Sequence, residues 1–167
     1  MPLVTEEGIV ADTYRRLEAG DATGDIIVAL ADIKDHIGHS GRLGAEVPNT
    51  ACIEEIAPWL ARLDLVCLAF PIFTDGRAYS LARQIRQAGF AGELRATGNL
   101  LPDQLQFMAQ VGFTAFEVCD RFAPEVWRRA LAGMSLSYQA ANGNARHVWQ
   151  ERALARDRRQ GRTASAR

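Results

Sequence analysis

The sequence predicts an α/β fold, a small parallel sheet built from βα repeats. The expected arrangement is either a partial (β/α) barrel or an open three-layer sheet, with about four strands. Three observations point there. Residues 64–70 (DLVCLAF) form a nearly unbroken apolar run, as in a strand covered on both faces. Helical and extended patterns alternate from that run to residue 132. A helix–Gly–Phe–strand unit occurs twice, as Gln87-Ala-Gly-Phe90 and Gln110-Val-Gly-Phe113, offset by 23 residues. Both glycines suit a left-handed helix end, and both phenylalanines suit the core.

The elements follow in order. A short helix is expected near residues 12–19, closed by Gly20. The β-branched run 25–30 (DIIVAL) predicts a strand. Residues 34–49 carry Gly38, Gly41, Gly44 and Pro48 and read as a loop. Residues 51–63 have helical spacing, with Asn49 or Thr50 as cap and Pro58 as a kink. Residues 77–88 predict a helix that buries Ala78, Leu81, Ala82 and Ile85 and stops at Gly89. A short strand at 93–96 precedes a helix at 100–111, with Asn99 as cap, Pro102 in its first turn and Gly112 as stop. A strand at 114–119 and a helix at 124–132, stopped by Gly133, complete the pattern. Residues 1–145 thus read as one domain, with its clearest motifs at 63–118, and 146–167 as a basic extension.

Composition narrows the class. The 167 residues are 48% hydrophobic and 23% charged, as in a globular domain. No run approaches the ~18 apolar residues of a membrane span, so no membrane association is expected. The start shows no secretory signal, and the expected compartment is the cytoplasm. The net charge of −1 hides an asymmetry, because residues 146–167 hold seven arginines and two acids, a tail of +5 on a body of −6. The tail reads as a solvated extension, helical to about Arg159. A nucleic-acid role is not expected, since no aromatic platform interleaves the charges beyond Trp149. Cys52, Cys67 and Cys119 are far apart and form no CxxC, and Cys67 and Cys119 read as buried small hydrophobes. His36 and His39 lack a third ligand in the sequence, so no metal is expected. No GxGxxG, Walker A or GxSxG motif is present, and no cofactor is expected.

In parallel α/β architectures, ligands sit beyond the carboxyl ends of the strands. That rule selects three loops. Asp75, Gly76, Arg77, Tyr79 and Ser80 follow the first strand of the core. Thr97, Asn99, Asp103 and Gln104 follow the second, with Arg95 near its end. Asp120 and Arg121 follow the third. In the functional reading, Arg77, Arg95 and free N–H groups hold an anion, with Asp75 or Glu117 as a candidate general base. In the structural reading, Thr74 or Asp75 caps a helix, Arg77 pairs with a nearby carboxylate, and Arg95 pairs with Glu93, Glu117 or Asp103. Alternation puts Glu93 and Arg95 on one face. Aligning the two Gly-Phe units sets Val118 opposite Arg95, and a one-residue slip would set Glu117 there.

These residues resemble a known family. Phe70-Pro-x-Phe-x-Asp-Gly-Arg-x-Tyr-Ser80, Gly92-Glu-Leu-Arg-Ala-Thr-Gly98, Asp103-Gln104 and Gly112-Phe-x-x-Phe-Glu-Val118 look like the DUF934 family. The sequence departs from the pattern at Asn99 and Pro102, where Asp and Arg are expected in many relatives. Members are labelled either uncharacterised or oxidoreductases of sulfite reduction. The resemblance therefore implies a role in assimilatory sulfate or sulfite reduction. The chain shows no flavin, nicotinamide, haem or iron–sulfur signature for carrying electrons. The expectation is an accessory protein that binds an oxyanion, sulfite reductase or its electron donor at the rim. The alternative is a small cofactor-free enzyme acting on an anionic substrate. Homo-oligomerisation is left open.

Overall fold

The apolar run at 64–70 becomes β6 (Leu65–Phe70), a central strand with five of its six residues buried. The computed structural model describes residues 1–17, 23–132, and two short strands, β9 (Leu136–Ser137) and β10 (Arg146–His147), which pair in parallel. The remaining strands are β1 (Leu3–Thr5), β2 (Gly8–Val10), β3 (Arg15–Arg16), β4 (Ile26–Ala29), β5 (Leu43–Val47), β7 (Glu93–Gly98) and β8 (Ala115–Glu117). With β6 they form one sheet in the order β2-β1-β8-β7-β6-β5-β4-β3. The helices are α1 (Ile33–His36), α2 (Ile53–Ile56), α3 (Arg77–Gln87), α4 (Leu105–Val111) and α5 (Pro124–Leu131). None is long and apolar enough to cross a membrane.

From β3 to β8 the strands are parallel and lie in chain order. Right-handed crossovers in unbroken order put every connecting helix on the same face. A doubly wound sheet would reverse its order part-way. Of the two expected arrangements, the partial barrel is therefore the one found. Two expectations are corrected. The sheet has eight strands rather than four, and it is not purely parallel, because β1 runs antiparallel to both β8 and β2.

The curl of the sheet is visible in one ion pair. Laid flat, β3 and β8 would be about 24 Å apart, five spacings of ~4.8 Å. Yet Arg16 on β3 donates to both carboxylate oxygens of Glu117 on β8, at 2.9 and 2.6 Å. Two side chains span that gap only if the sheet bends into a half-barrel. The helices pack on its convex side, where Val66, Leu68, Phe70, Leu94, Ala96 and Phe116 meet Leu81, Ile85, Met108 and Trp127 in one apolar cluster.

Other departures have local causes. The loop expected at 34–49 contains most of α1 and all of β5. Gly44 and Ala45 hide that strand, since neither favours β structure in isolation. Smallness is what the position needs: a Cβ at Gly44 would lie 3.0 Å from Leu65 and 3.1 Å from Ile27. The helix expected near residues 12–19 is replaced by β3, and its proposed stop at Gly20 lies outside the described residues. Tertiary pairing with β4 overrides helical spacing there. The helix expected at 51–63 shrinks to α2 and a 3-10 turn at Ala57–Trp59, which contains Pro58. Its cap is Cys52 rather than Asn49 or Thr50, with the Cys52 N–H donating to Glu55 at 2.8 Å. Similarly, α4 follows a 3-10 turn at Pro102–Gln104 that starts from Leu101, not Asn99. Arg146–His147, at the start of the expected tail helix, form β10 instead, and Gly133 and residues 148–167 lie outside the described residues.

The two Gly-Phe units behave as expected. Gly89 and Gly112 have φ of +91° and +117°, and both phenylalanines are buried. Arg86 ties the units together by donating to the carbonyls of Phe90, Gly92 and Gly112 at 2.8, 2.8 and 2.9 Å. Burial pushes its pKa down.

Candidate functional site

The rim at the carboxyl ends of the strands gathers most of the expected residues. Asp75 closes the turn after β6, where its N–H donates to the Ile72 carbonyl at 3.0 Å. Its carboxylate accepts from the Arg77 backbone N–H (3.1 Å), from Arg77 Nε (3.0 Å) and from Arg77 Nη2 (2.6 Å). Buried Asn49, from the loop after β5, donates to the same carboxylate at 2.6 Å. Arg77's hydrogen bonds, side chain first, hold the Asp75 carboxyl down at about 2. A carboxylate so weakly basic is a poor general base near neutrality.

The next loop joins the same rim. The Asn99 N–H donates to the Phe70 carbonyl at 2.8 Å, and the Gln104 amide donates to the Phe73 carbonyl at 2.8 Å. Tyr79 stacks edge-on against Phe70 and tilts against Phe107. Burial raises its hydroxyl pKa, with nearby Asp103 adding to the effect. Gly76, Ser80 and Asp103 are exposed, and the cap residue of α3 is Gly76 rather than Thr74 or Asp75, although the Asp75 carboxylate still accepts from the first helical N–H, that of Arg77. Asp120 and Arg121 follow β8, exposed. Ile72, Phe73 and Phe107 are also exposed here, at 57%, 42% and 53%.

Arg95 does not join that rim. With Glu93 and Thr97 it faces the concave side of the half-barrel, and its side chain is 1% exposed. Its Nε donates to Glu93 at 2.9 Å, and its two terminal nitrogens donate to Asp12 at 2.6 and 3.0 Å. Glu93 is among the expected partners, and Asp12 is not. Burial alone would lower the Arg95 pKa, but Asp12 and Glu93 outweigh it and keep the group charged. Asp12 mirrors this: burial works against its charge, and Arg95 together with the Tyr14 N–H overcomes that and lowers its pKa.

The pairing of β7 with β8 settles the open register. Arg95 lies opposite Ala115, so Glu117 shares its face and Val118 points to the convex core. The Gly-Phe repeat misleads here because its 23-residue offset differs from the 20-residue offset of the pairing. Thus Glu117 belongs to the concave network with Arg16, which also lies 3.5 Å from Glu46.

Cys67 sits in the middle of that face, fully buried with Tyr14, Ile27 and Leu65. Burial pushes its thiol up to about 12. Cys119 is half-buried rather than buried, and Cys52 is exposed. Among the described residues, no group of three or more His, Cys, Asp or Glu is placed to hold a metal ion. A ring nitrogen of His36 lies 3.1 Å from the Asp32 carbonyl oxygen, and one of His39 lies 2.6 Å from that of Gly24.

Sequence reasoning missed Asp12, Tyr14, Arg16 and Glu46, the outer partners of the concave network. The alternation of Asp12, Tyr14 and Arg16 was the available signal, a period of two inside a stretch read as helix. A groove of about 720 Å3 also opens at the opposite end from the rim, lined by Glu6, Glu7, Arg86, Phe113 and Thr114 among others. Its arginine is the one already bound to three carbonyls.

No curated protein matches the chain. Residues 44–149 match the family model described as "Bacterial protein of unknown function (DUF934)", and the chain belongs to that family.

Proposed function

We propose that this chain is an accessory protein of assimilatory sulfate or sulfite reduction that docks a reductase or its electron donor through the carboxyl-end rim. The pathway comes from the resemblance set out above. One observation carries the docking role: a fixed, outward-facing arginine beside exposed aromatic rings. Arg77 is 59% exposed, yet Asp75 holds its guanidinium at 2.6 Å. Phe73 and Phe107 flank the same loop region with large exposed rings. Arginine and aromatic side chains of this kind are enriched in protein interfaces.

The enzyme reading has less support. Arg77 is already engaged by Asp75, and Asp75 is too weakly basic for proton abstraction near neutrality. An anionic small molecule at the rim would have to compete with that carboxylate. The test uses purified sulfite reductase immobilised on a sensor and titrated with the full chain. Saturable binding is expected. Phe73→Asp, Phe107→Asp and Arg77→Ala should each weaken it by about tenfold, the cost of losing an interface anchor. Absence of binding, or binding unchanged in all three variants, rejects the proposal.

A further inference from the structure

The concave face raises a separate question. Arg95 is a charged group buried at the centre of a sheet, where well-packed apolar residues are often as stable or more so. Its partner Asp12 arrives from 83 residues away. Arg95, Glu46, Cys67 and Glu117 all lie within the stretch matched by the family model, and Asp12, Tyr14 and Arg16 lie before it.

The segment that fills this face has the geometry of a bound peptide. Arg16 lies in the two-residue strand β3, and Asp12 and Tyr14 just before it reach the same concave side, with the Tyr14 N–H donating to the Asp12 carboxylate at 3.0 Å. Asp12 takes the fork of Arg95, and Arg16 takes Glu117 and Glu46. Between them Tyr14 covers Ile27, Leu65 and Cys67, with its ring centre 4.7 Å from the Arg42 guanidinium and 5.7 Å from that of Arg95. Backbone bonds dock the segment on the β4 edge: Arg15 N–H to Asp25 at 3.0 Å, and Leu17 N–H to Ile27 at 2.8 Å. Main-chain pairing to a sheet edge with alternate side chains in pockets is how strand-addition sites bind peptides.

We infer that the β4 edge and the concave face form a strand-addition site for an extended protein segment with an acidic–x–aromatic–x–basic pattern, occupied in cis by residues 12–16. Charge complementarity fixes both ends of the pattern. With the strap removed, the face keeps two cations, Arg95 and Arg42, the second already held by Asp25 at 2.6 Å, and the carboxylates Glu93, Glu46 and Glu117. A purely anionic ligand would meet net repulsion there, whereas a segment carrying both charges meets a partner at each end. The site is distinct from the rim, so it stands or falls independently of the proposed docking role.

The test uses the full chain with the strap loosened, Asp12→Asn/Arg16→Gln, and a fluorescein-labelled peptide of residues 10–17. Polarisation should show saturable binding to the loosened chain, at least about tenfold tighter than to the wild type, whose site is already taken. A peptide carrying the same two neutral substitutions should lose that binding, and Glu117→Gln in the loosened chain should weaken it. The peptide should also slow thiol labelling of Cys67 in the loosened chain. Binding that ignores the peptide's charges, or no binding by a folded loosened chain, overturns the inference. If the double variant does not fold, hydrogen exchange of the wild type decides. The Arg15 and Leu17 amides should exchange at least about tenfold faster than those of β6, as expected for a segment that opens locally. Equal protection overturns the inference. So does a wild-type dimer that the peptide dissociates, because the occupant would then be a second copy.

Discussion

Arg95 and Arg77 each grip an aspartate with a closest approach of 2.6 Å, but one is 1% exposed and the other 59%. Arg77 meets Asp75 two residues away in the chain, and Arg95 meets Asp12 across 83. The shared geometry hides different physics. In water, a paired charge is nearly as well solvated when released, so the pair contributes little. Inside the half-barrel, a released charge has nowhere to go. The distant pair also holds tertiary structure, whereas the local one only shapes a loop.

Several measurements would break or sharpen this contrast. The largest effect is expected for Asp12→Ala, which leaves Arg95 buried with only Glu93. Urea unfolding should show a loss of about 3 kcal/mol, the low end for breaking a buried pair. A loss below about 1 kcal/mol would mean that water reaches Arg95 and that the two pairs are alike. Next comes Gly112→Ala. That position has φ of +117°, and a Cβ would lie 2.6 Å from the Arg86 side chain. A cost of about 1–3 kcal/mol is expected for the strain; no change in the midpoint would show that Arg86 moves aside freely.

The pH dependence should be smaller and two-sided. Asp12 has its carboxyl pKa lowered from 3.8 in the folded chain. Its contribution is therefore present above 3.8 and is lost as pH falls through the folded value. Wild-type stability should drop more steeply than that of Asp12→Asn below about pH 4. On the alkaline side, burial raises the Tyr14 hydroxyl from 10.0 and the Cys67 thiol from 9.0, both to about 12. Both contributions are present below the ordinary values and fade as pH rises towards about 12. Tyr14→Phe should flatten that limb, and an unchanged limb would show that the concave face is wetter than its burial suggests. The smallest stability effect is expected for Arg77→Ala, with no resolvable shift in the unfolding midpoint. A clear shift would make the rim pair structural and weaken its reading as a docking element.

Much of the convex half of the fold was legible in the sequence. Ala78, Leu81, Ala82 and Ile85 recur with helical period and are all buried on α3. Gly89 and Gly112 take the left-handed ends expected of them. The apolar run ending at Phe70 is a covered strand. These features are local, written within about ten residues each. The concave half was legible only in the local Glu93–Arg95 pair, because the rest of its logic is long-range. Nothing near Arg95 names Asp12, and nothing near Arg16 names Glu117. β5 was hidden for another reason: Gly44 reports the space between Ile27 and Leu65, not a turn. At the rim, Asp75, Arg77, Asn99 and Gln104 were found because the ligand rule for parallel sheets needs only strand ends. Arg95 was assigned to the same rim because the sequence does not show how far a strand runs before it ends. β7 continues to Gly98, and this leaves Arg95 in mid-strand.

Among the larger side chains of the inner arc, such as Ile27 and Leu65, very small residues recur at Ala29, Gly44, Ala69 and Ala115. Side chains on the inside of a bend are compressed, so their size sets the tightest radius the arc can reach. A Gly44→Val change would act as a wedge, opening the arc and drawing Arg16 away from Glu117 although it touches neither. Size at one position would then set the distance between two charges, one of them three strands away, and a lengthened Arg16–Glu117 contact in that variant is the expected readout.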